Sequence, residues 1–167
     1  MANLHTEAAK GELELKIFRE FAKKADLPLS GAEKRNPPEP DIRCLHDQEG
    51  YIAFELVEIC DPKVAKIIGD ARKSKVGGVT FARTSDPSQL ILRKKLEKQY
   101  ETANPIELLC YTAGRVITSD DVIIPTIMPL VESHSSVFRR IWLLGEMVHL
   151  VWQDSVDCRG PELAEFG

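Results

Sequence analysis

Residues 51–60, YIAFELVEIC, constrain this chain more than any other stretch. Side chains of a strand alternate between faces. Ile52, Phe54 and Leu56 therefore share one face, and Tyr51, Ala53, Glu55 and Val57 share the other. An apolar strand of this kind belongs inside a layered domain, and a carboxylate at Glu55, on its inner half, is not a residue that folding alone would choose. Asp41 to His46 reads as a second strand, joined to the first through DQEG, where Gly50 supplies the positive φ of a bulged hairpin turn.

Around this hairpin the pattern alternates helix and strand. Glu12 to Ala25 is amphipathic with Leu13, Ile17, Phe18 and Phe21 on one face. The following DLPLSGAEKRNPPEP carries Pro28, Pro37, Pro38 and Pro40 and reads as a loop, too broken for a helix or a central strand. DPKVAKIIGDARKSK predicts a proline-initiated helix, GGVTFART a loop or short strand, and Asp86 or Ser88 a cap for a long helix reaching about Tyr100. IELLCYTA reads as a buried strand ended by Gly114, and Val116–Ile117 as the start of another. Ser119 with Asp120 and Asp121 signals a helix start, which Pro125 and Pro129 should kink or delay. FRRIWLLG and EMVHLVW close the series as two strands around Gly145–Glu146. This order predicts an α/β domain with helices on both faces of a mixed sheet.

With 167 residues, 43% hydrophobic and 29% charged, the chain has the composition of a single soluble domain spanning 1–167. A formal charge of −4 excludes a protein that coats nucleic acid by bulk charge, but leaves room for a locally basic groove. No apolar run approaches the ~20 residues of a membrane span, and the polar start MANLHTEAAKGELELK has no secretory pattern, so the expected location is the cytoplasm, with no membrane partner. Cys44, Cys60, Cys110 and Cys158 form no CxxC pair; the first three sit in apolar stretches and read as small buried hydrophobes. Gly77–Gly78 belongs to no phosphate-cradling motif.

The residues that carry chemistry are Asp41, opening the first hairpin strand, and Glu55, near the end of the second. The hairpin can set these two acids side by side. Carboxylates held together repel, raise each other's pKa and invite a divalent cation, and hard oxygen ligands suit Mg²⁺ or Mn²⁺. The plainer alternative is that Asp41 caps the proline loop and Glu55 pairs with a nearby lysine.

A helix, then Pro-Asp opening a strand, then a hairpin ending in an acid, then a helix resembles the restriction-endonuclease-like PD-(D/E)XK nuclease superfamily, over about Glu12 to Tyr111 with PEPDIRCLHDQEGYIAFELVEI at the centre. The resemblance implies a three-layer α/β/α sandwich around a mixed sheet. It also implies a metal ion held by Asp41 and Glu55 with the Leu56 carbonyl, catalytic roles for Asp41, Glu55 and a lysine, and a nucleic-acid partner, DNA foremost. The superfamily's lysine should stand at Val57 and does not; Val57 cannot stabilise developing negative charge. Some members take the lysine from the following helix, and RKKLEKQY offers Lys95, beside the stripe of Ile91, Leu92 and Leu96, with Lys94, Lys98 and Gln99 as alternatives. Others add a glutamate from the first helix, for which Glu14 and Glu20 are the candidates, although both read more simply as solvated acids.

The runner-up reading is a nuclease-like fold without catalysis, serving as a protein- or nucleic-acid-binding module; the absent strand lysine and the negative net charge favour it. ARKSK (Ala71–Lys75) would border a nucleic-acid groove, and the apolar EMVHLVW would support a homodimer through a strand edge. His46 adjoins the hairpin turn near the expected site, and Glu58 should point to the face opposite Glu55. Trp142 and Trp152 read as core or interface filling.

Overall fold

The computed structural model describes residues 4–59, 88–112 and 119–155. Its elements are α1 (Leu4–Lys24), β1 (Leu29–Lys34), β2 (Ile42–His46), β3 (Gly50–Glu58), α2 (Ser88–Leu96), β4 (Ile106–Tyr111), α3 (Asp120–Ser133), β5 (Phe138–Leu144) and β6 (Val148–Gln153). The helix expected at DPKVAKIIGDARKSK, the GGVTFART segment, Gly114 to Ile117, Cys60 and Cys158 lie outside the described residues.

The strands form one six-stranded mixed sheet in the order β1 to β6. β1, β2 and β3 are antiparallel, β3, β4 and β5 run parallel, and β6 returns antiparallel to β5. Parallel neighbours need crossovers, and crossovers of one hand that step the same way across a sheet put their helices on the same face. Leu92 and Leu96 of α2 and Ile123, Ile127 and Val131 of α3 accordingly join one apolar cluster with Val57, Leu108, Cys110 and Ile141. On the other face Ile17, Phe18 and Phe21 of α1 pack with Ile42, Cys44, Ile52, Phe54 and Leu109. The Phe18 and Phe21 rings meet Phe54 edge-on, and Phe21 also meets Trp142. β4 is buried at all six positions, as a strand with helices on either side must be.

Several expectations need correction. α1 begins earlier than Glu12, and Leu13 is exposed, not on the buried face. The proline-rich segment is not all loop: Leu29–Lys34 forms β1, an edge strand, where an irregular register and Gly31 at φ 59° are tolerated. α2 ends at Leu96, short of Tyr100. α3 starts at Asp120 and runs through both Pro125 and Pro129. Both prolines face solvent, so water can satisfy the carbonyls they leave without an amide donor. No described helix is long and apolar enough to cross a membrane.

Candidate carboxylate and lysine site

The β2–β3 hairpin sets the geometry. Its register runs without a shift from His46 opposite Gly50, at φ 81°, to Ile42 opposite Phe54. Asp41 comes immediately before Ile42 and Glu55 immediately after Phe54, so the end of the ladder brings their backbones close together. Asp41 is fixed there by the backbone: its Oδ2 accepts the Leu56 N–H at 2.9 Å, and its own carbonyl accepts the Arg35 N–H at 2.8 Å across the base of the proline loop. The loop is held in turn by Arg35, whose guanidinium donates to both oxygens of Glu39 at 2.8 and 2.9 Å.

Glu55 is 2% exposed, on the α2 and α3 face of the sheet. A carboxylate buried so deeply is tolerated only with partners. Lys95 of α2 donates to its Oε1 at 2.6 Å, and Lys98, just past the helix end, donates to the same oxygen at 3.3 Å. Lys98 also stands over the Tyr100 ring, 4.8 Å from its centroid. Burial and the negative charge of Glu55 and Asp41 push the Tyr100 phenol far up.

On the other side of Asp41 stands Lys34, the last residue of β1, paired in register with Ile42. Its ammonium donates to Asp41 Oδ1 at 2.9 Å and to Glu14 Oε2 of α1. Glu14 is 3% exposed, so it is a buried member of the site and not the solvated acid its place on α1 suggested; Lys10 approaches it at 3.7 Å. Glu20, the other candidate on α1, pairs with Lys24 at the surface. Burial alone would raise the Asp41 pKa, but the Leu56 amide, Lys34 and the field of Lys95 outweigh it and hold the carboxyl below its ordinary value. Lys34 is correspondingly raised despite burial, by Glu14 and Asp41. Glu14 of α1 and Asp41, just before β2, thus share Lys34 of β1, while Glu55 of β3 takes Lys95 of α2 and Lys98 after it.

The chain matches no protein-family model, no curated protein and no solved structure. What the site can do is therefore argued from its own chemistry. Asp41, just before β2, and Glu55 on β3 present hard oxygen donors, the class of ligand Mg²⁺ and Mn²⁺ prefer. Among the described residues no three His, Cys, Asp or Glu side chains gather as a ready-made cage. Mg²⁺ seldom needs one, since it keeps several waters and takes one or two carboxylates. That the pocket accommodates positive charge is visible in the Lys34 ammonium, held between two carboxylates of different elements. In donor type alone, Asp41 and Glu55 suit such an ion.

Other sequence candidates fall elsewhere. His46 is at the far end of the hairpin from Asp41, where its Nδ1 accepts the Gln48 and Glu49 amides at 3.2 Å; it is a turn residue, not a neighbour of the site. Val57 packs among the apolar side chains below α2 and α3. Arg93 and Lys94 are exposed on α2, and Ala71–Lys75 lies outside the described residues. The sequence pattern gave no sign of Lys34, because a lysine inside a proline-rich segment carries no periodicity to mark it.

Two further buried carboxylates were not anticipated. Glu107 on β4, 2% exposed, accepts from Arg139 at 2.8 Å, Arg140 at 3.0 Å and the Trp142 indole at 2.7 Å. A register shift in β5 between the partners of Ile106 and Glu107 inserts Arg139 as an extra residue, so that consecutive arginines reach one acid. Asp120, at the start of α3, accepts the Glu146 and Met147 amides at 3.2 and 3.1 Å and lies 3.0 Å from His149 Nε2. It ties α3 to the β5–β6 turn.

Proposed function

We propose that the protein is a metal-dependent phosphodiesterase acting on nucleic acid, DNA foremost, built on a three-layer α/β/α sandwich of the restriction-endonuclease-like kind. One observation carries the reading: Lys95, from the next described helix after β3, lies 2.6 Å from Glu55 and stands in for the lysine absent at Val57. Asp41, close to Glu55 in backbone at the end of the ladder and engaged by the Leu56 amide, completes the set.

In this reading Asp41 and Glu55 hold Mg²⁺ or Mn²⁺, an ion that, when bound, lowers the pKa of a water and polarises a phosphate. Lys95 keeps a donating ammonium beside the pocket, where negative charge would develop on phosphorus-bound oxygen. Glu55 fixes that ammonium, and burial of Glu55 strengthens the hold by excluding water from it. The exposed Arg93 and Lys94 of α2 are available for phosphate contacts, which fix position without reading sequence.

A second reading is favoured by the pairing of charges itself. Because Asp41 and Glu55 are each already compensated by lysine, the same network would also stabilise a nuclease-like fold that binds protein or nucleic acid without catalysis. Calorimetric titration of Mn²⁺ into the wild type, Asp41→Ala and Glu55→Ala, with a plasmid-nicking assay in the same buffer, separates the two. Mn²⁺ binding and metal-dependent nicking that both disappear in the variants support the enzyme. Metal-independent binding of DNA or protein, with no nicking by the wild type, supports the binding module.

A further inference from the structure

Lys34 differs from the other lysines of the site. Among the described residues it alone there joins two carboxylates carried by different elements, Glu14 on α1 and Asp41 at the mouth of β2. Its aliphatic stem runs across Gly11 of α1, with Cγ 3.6 Å from the point a β-carbon would occupy there. A cavity of about 80 Å³ opens beside the ammonium, lined in part by Glu14, Lys34, Arg35, Asn36 and Asp41. A water molecule takes up on the order of 30 Å³ of liquid, so the space beside the ammonium holds a few waters, and any competition between an ion and Lys34 is for the Asp41 oxygen and not for volume.

We propose that the Lys34 ammonium is a resident counter-cation of this pocket, and that a divalent ion enters only by displacing it. The inference rests on the metal-site reading above and adds to it a device that sets metal affinity. Asp41 has one oxygen on the Leu56 amide and the other on Lys34, so an ion gains Asp41 in exchange for the lysine. Two cations a few ångströms apart repel strongly where water is scarce. Glu14 is buried against Lys34 and requires a cation of one kind or the other. Lys34 sits at the end of an edge strand with a flexible stem and a partly exposed side chain, so it can leave toward solvent without unfolding the sheet.

The test uses Mn²⁺ alone as probe. Calorimetric titration of the full chain compares wild type, Lys34→Met, Lys34→Arg and Asp41→Ala. The expected result is Mn²⁺ binding at least about tenfold tighter in Lys34→Met than in wild type, unchanged binding in Lys34→Arg, and none in Asp41→Ala. A second measurement needs no variant: labelling of Lys34 in the wild type by an amine-reactive reagent, followed by mass spectrometry, should accelerate several-fold at saturating Mn²⁺, with the exposed Lys16 as internal reference. Mn²⁺ binding that depends on Asp41 but is no tighter in Lys34→Met, or Lys34 labelling indifferent to Mn²⁺ at saturation, overturns the displacement and leaves the metal site standing. Absence of Asp41-dependent Mn²⁺ binding in both wild type and Lys34→Met overturns both.

Discussion

The Lys95 ammonium lies 2.6 Å from a carboxylate oxygen of Glu55, a residue 40 positions away in the chain. Lys98 shares that oxygen from 3.3 Å but is about half exposed, whereas Lys95 is mostly covered. The two lysines should therefore differ in weight. Lys95→Met is expected to cost about 2–4 kcal/mol, because it strips a buried carboxylate of its nearer partner, and Lys98→Met no more than about 1 kcal/mol. Urea denaturation of the two variants checks this ordering; equal losses would mean that Lys95 is not the principal partner.

Acid should loosen the fold through identifiable groups. Burial pushes Asp41, Glu49 and Asp120 up, but hydrogen bonds and nearby cations outweigh it, so all three are held below their ordinary values. A carboxyl depressed in the folded state contributes stability that is complete above its unfolded pKa and is lost as pH falls through its folded pKa. The urea midpoint should thus be nearly level from about pH 7 to about pH 5 and fall below about pH 4. Asp120→Asn should be less stable at neutral pH and show a shallower acid decline.

Gly145 has no room for a side chain. A β-carbon there would stand 1.9 Å from Asp120 Oδ1 and 2.6 Å from its Cγ. Gly145→Ala is expected to destabilise by about 2–4 kcal/mol, combining overpacking with the loss of hydrogen bonds from the turn amides to Asp120. Once Asp120 is already Ala, adding Gly145→Ala should cost little more. Strict additivity in the double variant would show that the clash is not what penalises the alanine.

The Glu107 cluster can be followed by fluorescence. Glu107→Ala leaves two guanidiniums and the Trp142 indole without their shared acceptor, at an expected cost of about 3–5 kcal/mol. Since Trp142 also packs on Phe21 of α1, its emission should shift with the loss. Glu107→Gln keeps an acceptor for the indole and should leave the emission closer to that of the wild type.

Local pattern made part of this legible and long-range contact the rest. The alternation placed Ile52, Phe54 and Leu56 on one face and Val57 on the other, where they pack, because successive side chains of a strand point to opposite faces whatever their burial. The same periodicity on α1 identified Ile17, Phe18 and Phe21. β1 was hidden because an edge strand has little burial to enforce alternation, and its glycine and flanking prolines read as a loop. α3 was obscured by Pro125 and Pro129, whose cost depends on which side of the helix faces water. Glu14 and Lys34 are 20 residues apart and meet only through the packing of α1 beside β1. Neither residue's neighbours in sequence betray the other, so an acid on a mixed helix looked solvated when it is buried.

The two apolar clusters lie on opposite faces of the sheet and share no side chain. The chain of carboxylates and lysines nevertheless draws on both, with Glu14 from the helix on one face and Lys95 from a helix on the other. The two sets of links meet at the backbone of β3, where Asp41 accepts the N–H of Leu56, the residue after Glu55. A small slide of α1 would pull on Asp41 and one of α2 on Glu55, so the short stretch of β3 between them is the natural gauge of how the two sides of the molecule move against each other.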